Sequence, residues 1–221
     1  QMGILQPSVK NLSKRTIYFD ATDKAISFAV DELTDVFKVQ GVTLSGGSLS
    51  EIDLKQPEVI IMAVQSTEIS RRLEAVGGEK VDKLGKEEFA IRVNKMDDIQ
   101  TYWVIGGDRI STMYGGLELA EMVKLHIPIE NSDHSPDVEK RGLKFNIPLD
   151  ARTPSYADFG DAAQNNIATM WDMDYWKQFI DALARYRYNT ISIWNSHPFP
   201  SIIKLKEYPD VALDDVMQTT I

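Results

Sequence analysis

No cysteine occurs in the 221 residues, and that single absence removes disulfides, zinc–thiolate centres, iron–sulfur clusters and thiol nucleophiles. Positive charge is scarce as well. Twenty-four Lys and Arg stand against 33 Asp and Glu, a formal net charge of -9. Nucleic acid and anionic membrane surfaces need a basic footprint, so neither fits as a general partner. No apolar run approaches the ~18 residues of a membrane span. Residues 1–14 lack a basic stretch followed by an apolar one, so no signal peptide is visible, while Gln at position 1 suggests a processed or trimmed chain. Gly106-Gly107 and Gly115-Gly116 miss the G-x-G-x-x-G spacing of a dinucleotide site, and no phosphate loop follows Phe19, Val64 or Ile105. These glycines suit a turn and close helix–sheet packing instead.

What is present is ordinary globular material. Hydrophobic residues make up 43% and charged residues 26%, enough to build a core. Residues 16–20 form a β-branched and aromatic run that predicts a strand. Asp23 then stands as an N-cap before a helix over 25–37, where Ile26, Ala29, Val30, Leu33, Val36 and Phe37 share one face. Gly41 ends it. Residues 59–64 are uninterruptedly apolar, the mark of a strand covered on both faces. A short helix over 68–76 follows, stopped by Gly77-Gly78. Residues 87–93 and 101–105 predict a hairpin with 94–99 as its turn, and 112–123 an amphipathic helix burying Met113, Leu117, Ala120 and Val123.

Residues 127–140, with Pro128, Pro136, Asn131 and Ser132, read as a linker. Beyond it comes a strand over 142–147, a long polar loop over 148–169, and a strong helix over 173–188. Trp176, Phe179, Ile180, Leu183 and Ala184 recur there at helical spacing, and Asn189 is a candidate C-cap. A strand over 190–194 completes a βαβ unit with parallel strands. A lone unit of this kind cannot cover both faces of its strands, which points to a larger barrel. The expected fold class is α/β: a small mixed-sheet domain over 1–126, a linker over 127–140, and over 141–221 the first βαβ of a (β/α)8 barrel, incomplete.

Barrel active sites form at the C-terminal mouth of the strands. The first strand and its loop bring Arg141, Asn146, Asp150, Arg152 and Tyr156 toward that region, and the second strand brings Trp194, Asn195 and His197. An indole beside amide, guanidinium and imidazole groups suits a sugar: the indole stacks on the C–H face and the polar groups take hydroxyls. Plainer readings compete. Arg141 can pair with Asp137 or Glu139 on the surface, and His197 precedes Pro198 in a loop. Trp171 and Trp176 fit a core. Asp172 and Asp174 fit helix capping, and no pair of carboxyls suited to glycoside hydrolysis stands out. His126 and His134 receive no role.

The segment 102–123, containing WVIGGDRISTMYGGLELAEMV, resembles the last strand and helix of the small domain preceding the barrel in family 20 hexosaminidases and family 67 α-glucuronidases. The following KRGLKFNIPLD…WKQFIDALARYRYNTISIWN resembles their opening Arg-Gly strand, first helix and second barrel strand. The likeness spans roughly residues 59–195 and extends to polysaccharide-degrading proteins of gut Bacteroidetes. It implies a periplasmic or secreted glycoside hydrolase with a carbohydrate substrate and no cofactor, and it implies sugar contact for Arg141. Where those families carry a His-containing segment, this chain reads Trp194-Asn195-Ser196-His197, and their acids lie on later strands. Homo-oligomerisation is left open. A rival expectation is a complete non-catalytic carbohydrate-binding or protein-interaction module, whose βαβ strands would extend the first sheet.

Overall fold

The computed structural model describes residues 13–149, 161–194 and 205–211. The chain divides into two compact units, residues 1–137 and 138–221.

Unit 1 is a six-stranded mixed sheet whose strands lie in the spatial order Val42–Ser48, Ser13–Phe19, Glu58–Val64, Ile99–Gly106, Phe89–Met96, Ser132–His134. Strand β1 (Ser13–Phe19) leads through helix α1 (Lys24–Val39) to β2 (Val42–Ser48), and a 3₁₀ turn (Leu49–Glu51) starts the return to β3 (Glu58–Val64). Helix α2 (Thr67–Ala75), the antiparallel pair β4 (Phe89–Met96) and β5 (Ile99–Gly106), and helix α3 (Arg109–Leu125) follow. Strands β1, β2, β3 and β5 run parallel. Side chains alternate between the faces of a strand, so the apolar run in β3 serves two cores. Val59, Ile61 and Ala63 pack with Ile69 and Leu73 of α2 and with the fully buried Trp103. Met62 instead meets α3, where a Cβ on Gly116 would stand 2.9 Å from Ala29 Cβ of α1. Two small residues let α1, α3 and the sheet approach this closely.

The helix starts follow the expected chemistry. Asp23 Oδ1 accepts from the Ala25 and Ile26 amides, 2.8 and 3.1 Å away. Gly41 and Gly77 take φ of +74° and +76° just past α1 and α2, a region in which glycine carries no Cβ penalty. The Met113, Leu117, Ala120 and Val123 positions of α3 are all buried. The hairpin turn is tighter than expected, with only Asp97-Asp98 between the strands, and Asp97 adopts φ +55°.

Two strands differ from the sequence reading. Strand β2, a segment the sequence reading left unassigned, carries Gly46-Gly47, and the rings of Phe19 and Tyr18 on β1 fill the missing side-chain space. A Cβ on Gly47 would stand 2.8 Å from Tyr18 Cε1. Inside the expected linker, Ser132–His134 forms β6 and pairs with Phe89–Ile91 of β4. The buried Arg92 holds it: Nη1 donates to the Ser132 carbonyl at 3.0 Å and Nη2 to Asp133 Oδ1 at 2.8 Å. His134 stacks on Phe89 with centroids 4.4 Å apart.

Unit 2 contains β7 (Gly142–Asn146), helices α4 (Asp161–Met170) and α5 (Met173–Arg185), and β8 (Thr190–Trp194). Strands β7 and β8 pair in parallel, Gly142 with Thr190 through Asn146 with Trp194, and form their own two-stranded sheet. Helix α4 occupies part of the expected polar loop. Ile147, Leu149 and Met170 form a small core, with Trp171, Tyr175 and Trp176 packed on it. The indole N–H groups of Trp171 and Trp176 donate to the carbonyls of Leu149 and Met170, at 2.9 and 2.8 Å. Asp172 caps α5 through the Asp174 amide. The C-terminal cap is not Asn189. Arg187 takes φ +61°, and Tyr188 and Arg187 donate to the Leu183 and Ala184 carbonyls, closing a Schellman turn.

Candidate functional site

Parallel pairing decides which expected residues meet. Asn146 and Trp194 are register partners at the C-terminal ends of β7 and β8, so they share one face and one edge of the small sheet. The Ile147 amide donates to the Trp194 carbonyl at 2.9 Å and fixes the two ends together. Two residues back on the same face, Lys144 places Nζ 5.7 Å from the Trp194 ring centroid, within cation–π range. The sequence reading missed Lys144. Its signal was the period-2 alternation that puts it on the face of Asn146.

The polar state of this edge is unusual. Asn146 Oδ1 is buried and has no hydrogen-bond partner. A buried acceptor left unpaired costs about 1–3 kcal/mol, so it is a position where an incoming donor gains more than at a solvated surface. Trp194 is 37% exposed, which leaves part of its indole open for stacking. Together these groups form a stacking surface, a hydrogen-bond acceptor and a cation.

Arg141 lies at the other end of β7 from Asn146. Its Nε donates to the Arg187 carbonyl at 2.8 Å and Nη1 to the Val138 carbonyl at 2.6 Å. Its own amide donates to Asn189 Oδ1, and its carbonyl accepts from the Asn189 and Thr190 amides. Asn189 also donates to the Glu139 carbonyl at 2.8 Å. Arg141 and Asn189 thus tie the start of β7 to the turn between α5 and β8. Asp150, Arg152, Tyr156, Asn195 and His197 lie outside the described residues. Asp172 is used as a cap, and Asp174 pairs with Lys177 at 3.2 Å. Among the described residues, no group of three or more His, Cys, Asp or Glu could hold a metal ion, and no helix is long and apolar enough to cross a membrane.

With this architecture the chain falls into a structural class: its fold is one found in glycoside hydrolases. The solved structure of a GH138 enzyme targeting pectin rhamnogalacturonan II superposes on 93% of this chain with a TM-score of 0.63 and 18% identity. CpGH84D superposes on 86% with a TM-score of 0.53 and 12% identity. The chain spans about a quarter of each, 27% and 28% respectively. No protein-family profile matches the sequence, and no curated protein does either.

Proposed function

We propose that this chain is the N-terminal portion of a carbohydrate-active glycoside hydrolase, an α/β accessory domain followed by the opening βαβ of a (β/α)8 barrel. Acting on an oligo- or polysaccharide, such an enzyme would keep its catalytic acids on later strands. The observation that carries the reading is the shared C-terminal edge of β7 and β8, where Trp194, Asn146 and Lys144 converge. That is where a barrel builds its site, and those groups suit a pyranose. Two further facts support it. Every residue of β8 is exposed, although a parallel strand is normally covered on both faces. The likeness to two glycoside hydrolases also takes in only a quarter of each. The resemblance around Arg141-Gly142 extends the reading toward hexosaminidase- or α-glucuronidase-like enzymes of a periplasmic or secreted setting. Arg141 would then serve chiefly by anchoring β7.

The test compares the 221-residue chain with a chain extended through the rest of its reading frame, on aryl glycosides and aryl uronides. Hydrolysis is expected in the extended chain alone, through oxocarbenium-like chemistry. Within it, Trp194→Ala and Asn146→Ala should each lower kcat/KM by about tenfold or more. Activity in the 221-residue chain, or none in the extended one, would overturn the reading.

A further inference from the structure

Unit 1 contains a cleft to which the sequence reading assigned no role. Strand β1 is flanked by β2 and β3, and the chain leaves β1 in one direction and returns past it in the other. That divergence is a topological switch point, and open α/β sheets bind ligands at the carboxyl ends of the strands there. The β2-to-β3 return contains only the Leu49–Glu51 turn where a doubly wound fold would place a helix. The strand ends therefore remain open. A cleft of about 380 Å³ results, within the ~300–1,000 Å³ range of small-molecule sites.

Its lining is apolar below and polar around the rim. Ile26, Leu49, Val64 and Ile69 contribute the apolar part, and Val64 remains 38% exposed. On the rim, Asp20 Oδ1 takes the Thr22 amide and hydroxyl at 2.9 and 2.6 Å, bonds that hold its carboxyl below the ordinary range. Arg109 has Asp23 Oδ2 as its ion partner at 3.9 Å, longer than a hydrogen bond. The helix N-termini of α1 and α2 reach this edge, but each already has its own cap, Asp23 and Ser66. Asp20, Asp23 and Glu68 together outnumber the two arginines of the lining, which disfavours an anion. An ionised acceptor and a guanidinium with spare donors, set around an apolar floor, match a ring with one C–H face and a rim of hydroxyls. We propose that this cleft binds a neutral pyranose, which makes unit 1 a saccharide-binding domain in its own right. The proposal does not rest on unit 2.

The experiment is a titration of the ¹⁵N-labelled 221-residue chain with methyl α-glucopyranoside and methyl N-acetyl-β-glucosaminide. Inorganic phosphate and methyl glucuronide serve as charged controls. Saturable shifts are expected at the amides of Thr22, Ser50, Ile69 and Arg109. Asp20→Asn keeps an oxygen for the Thr22 turn and removes the charge, and Arg109→Gln changes an exposed side chain. Each should weaken binding about tenfold or more, while Lys95→Gln, an exposed change on β4 away from the cleft, leaves it unchanged. The proposal is overturned by any of three results: no saturable shift at these amides with either neutral pyranoside, a stronger response to phosphate or glucuronide, or shifts that persist undiminished in both variants.

Discussion

At Gly116 the tolerance of unit 1 is measured in single atoms. A Cβ there would stand 2.9 Å from Ala29 Cβ and closer still to the end of Met62. Met62 can rotate away, but the α1 backbone behind Ala29 cannot. Gly116→Val should therefore cost about 1–3 kcal/mol, read as a lower urea midpoint with an unchanged m-value. Arg92 illustrates the opposite kind of residue, a buried charge held by several carbonyls and by Asp133. Arg92→Leu keeps volume but leaves the Ser132 carbonyl without this donor. We expect a loss of about 2–3 kcal/mol and faster hydrogen exchange across β6 and its β4 partners. Neither residue could be weighed from its letter alone. Glycine in a helix reads as a weakness, and arginine in a strand reads as surface.

Among the elements, α3 shows how a local signal becomes a pH dependence. Asp108 accepts from the Ser111 amide at 2.8 Å, while the Ser111 hydroxyl accepts from the Asp108 amide at 2.8 Å, a reciprocal capping box. Burial pushes the Asp108 carboxyl up, but bonds from the Ser111 and Glu87 amides and the Ser111 hydroxyl outweigh it and hold the group below its ordinary 3.8. A carboxyl depressed in the folded state contributes stability above its unfolded pKa and loses it as pH falls through the folded value. Asp108→Ala should therefore cost about 1 kcal/mol at neutral pH. The gap from the unsubstituted protein should narrow below about pH 4, measured by denaturation across pH. Helices α1, α2, α3 and α5 were legible from their apolar spacing, α1 and α5 also from the caps Asp23 and Asp172, whereas the Ser66 and Asp108 caps went unread and α3 begins at Arg109 rather than at 112. Helix α4 was not, since Asn165-Asn166 and its polar neighbours outweighed a short apolar face on which Ile167 and Met170 are buried.

For the whole molecule, the two units differ in how much they bury. The sheet of unit 1 is covered on both faces, whereas among the described residues unit 2 shows a small core and leaves Ile191, Ile193 and Ile180 at 36%, 47% and 53% exposure. Hydrogen exchange on the intact chain should show the slowest amides in β3 and β5 and markedly faster ones in β8. Residues 1–137 expressed alone should unfold cooperatively, while residues 138–221 alone should lack a cooperative transition. Equal protection in β3 and β8 would contradict this account.

The sequence by itself determined the elements whose side chains repeat at a clear period: the β3 core strand, the β4–β5 hairpin, the amphipathic helices and the parallel β7-α5-β8 unit. Periodicity is a local property, and it survives in a string of letters. Tertiary structure alone decided the rest. Strand β2 exists because Tyr18 and Phe19 occupy the space above its glycines, and β6 because Arg92 reaches it from β4. The candidate site was half legible for the same reason. Asn146 and Trp194 could be named from their place at strand ends, but parallel register made them neighbours, brought Lys144 beside the indole, and set Arg141 to holding backbone at the opposite end.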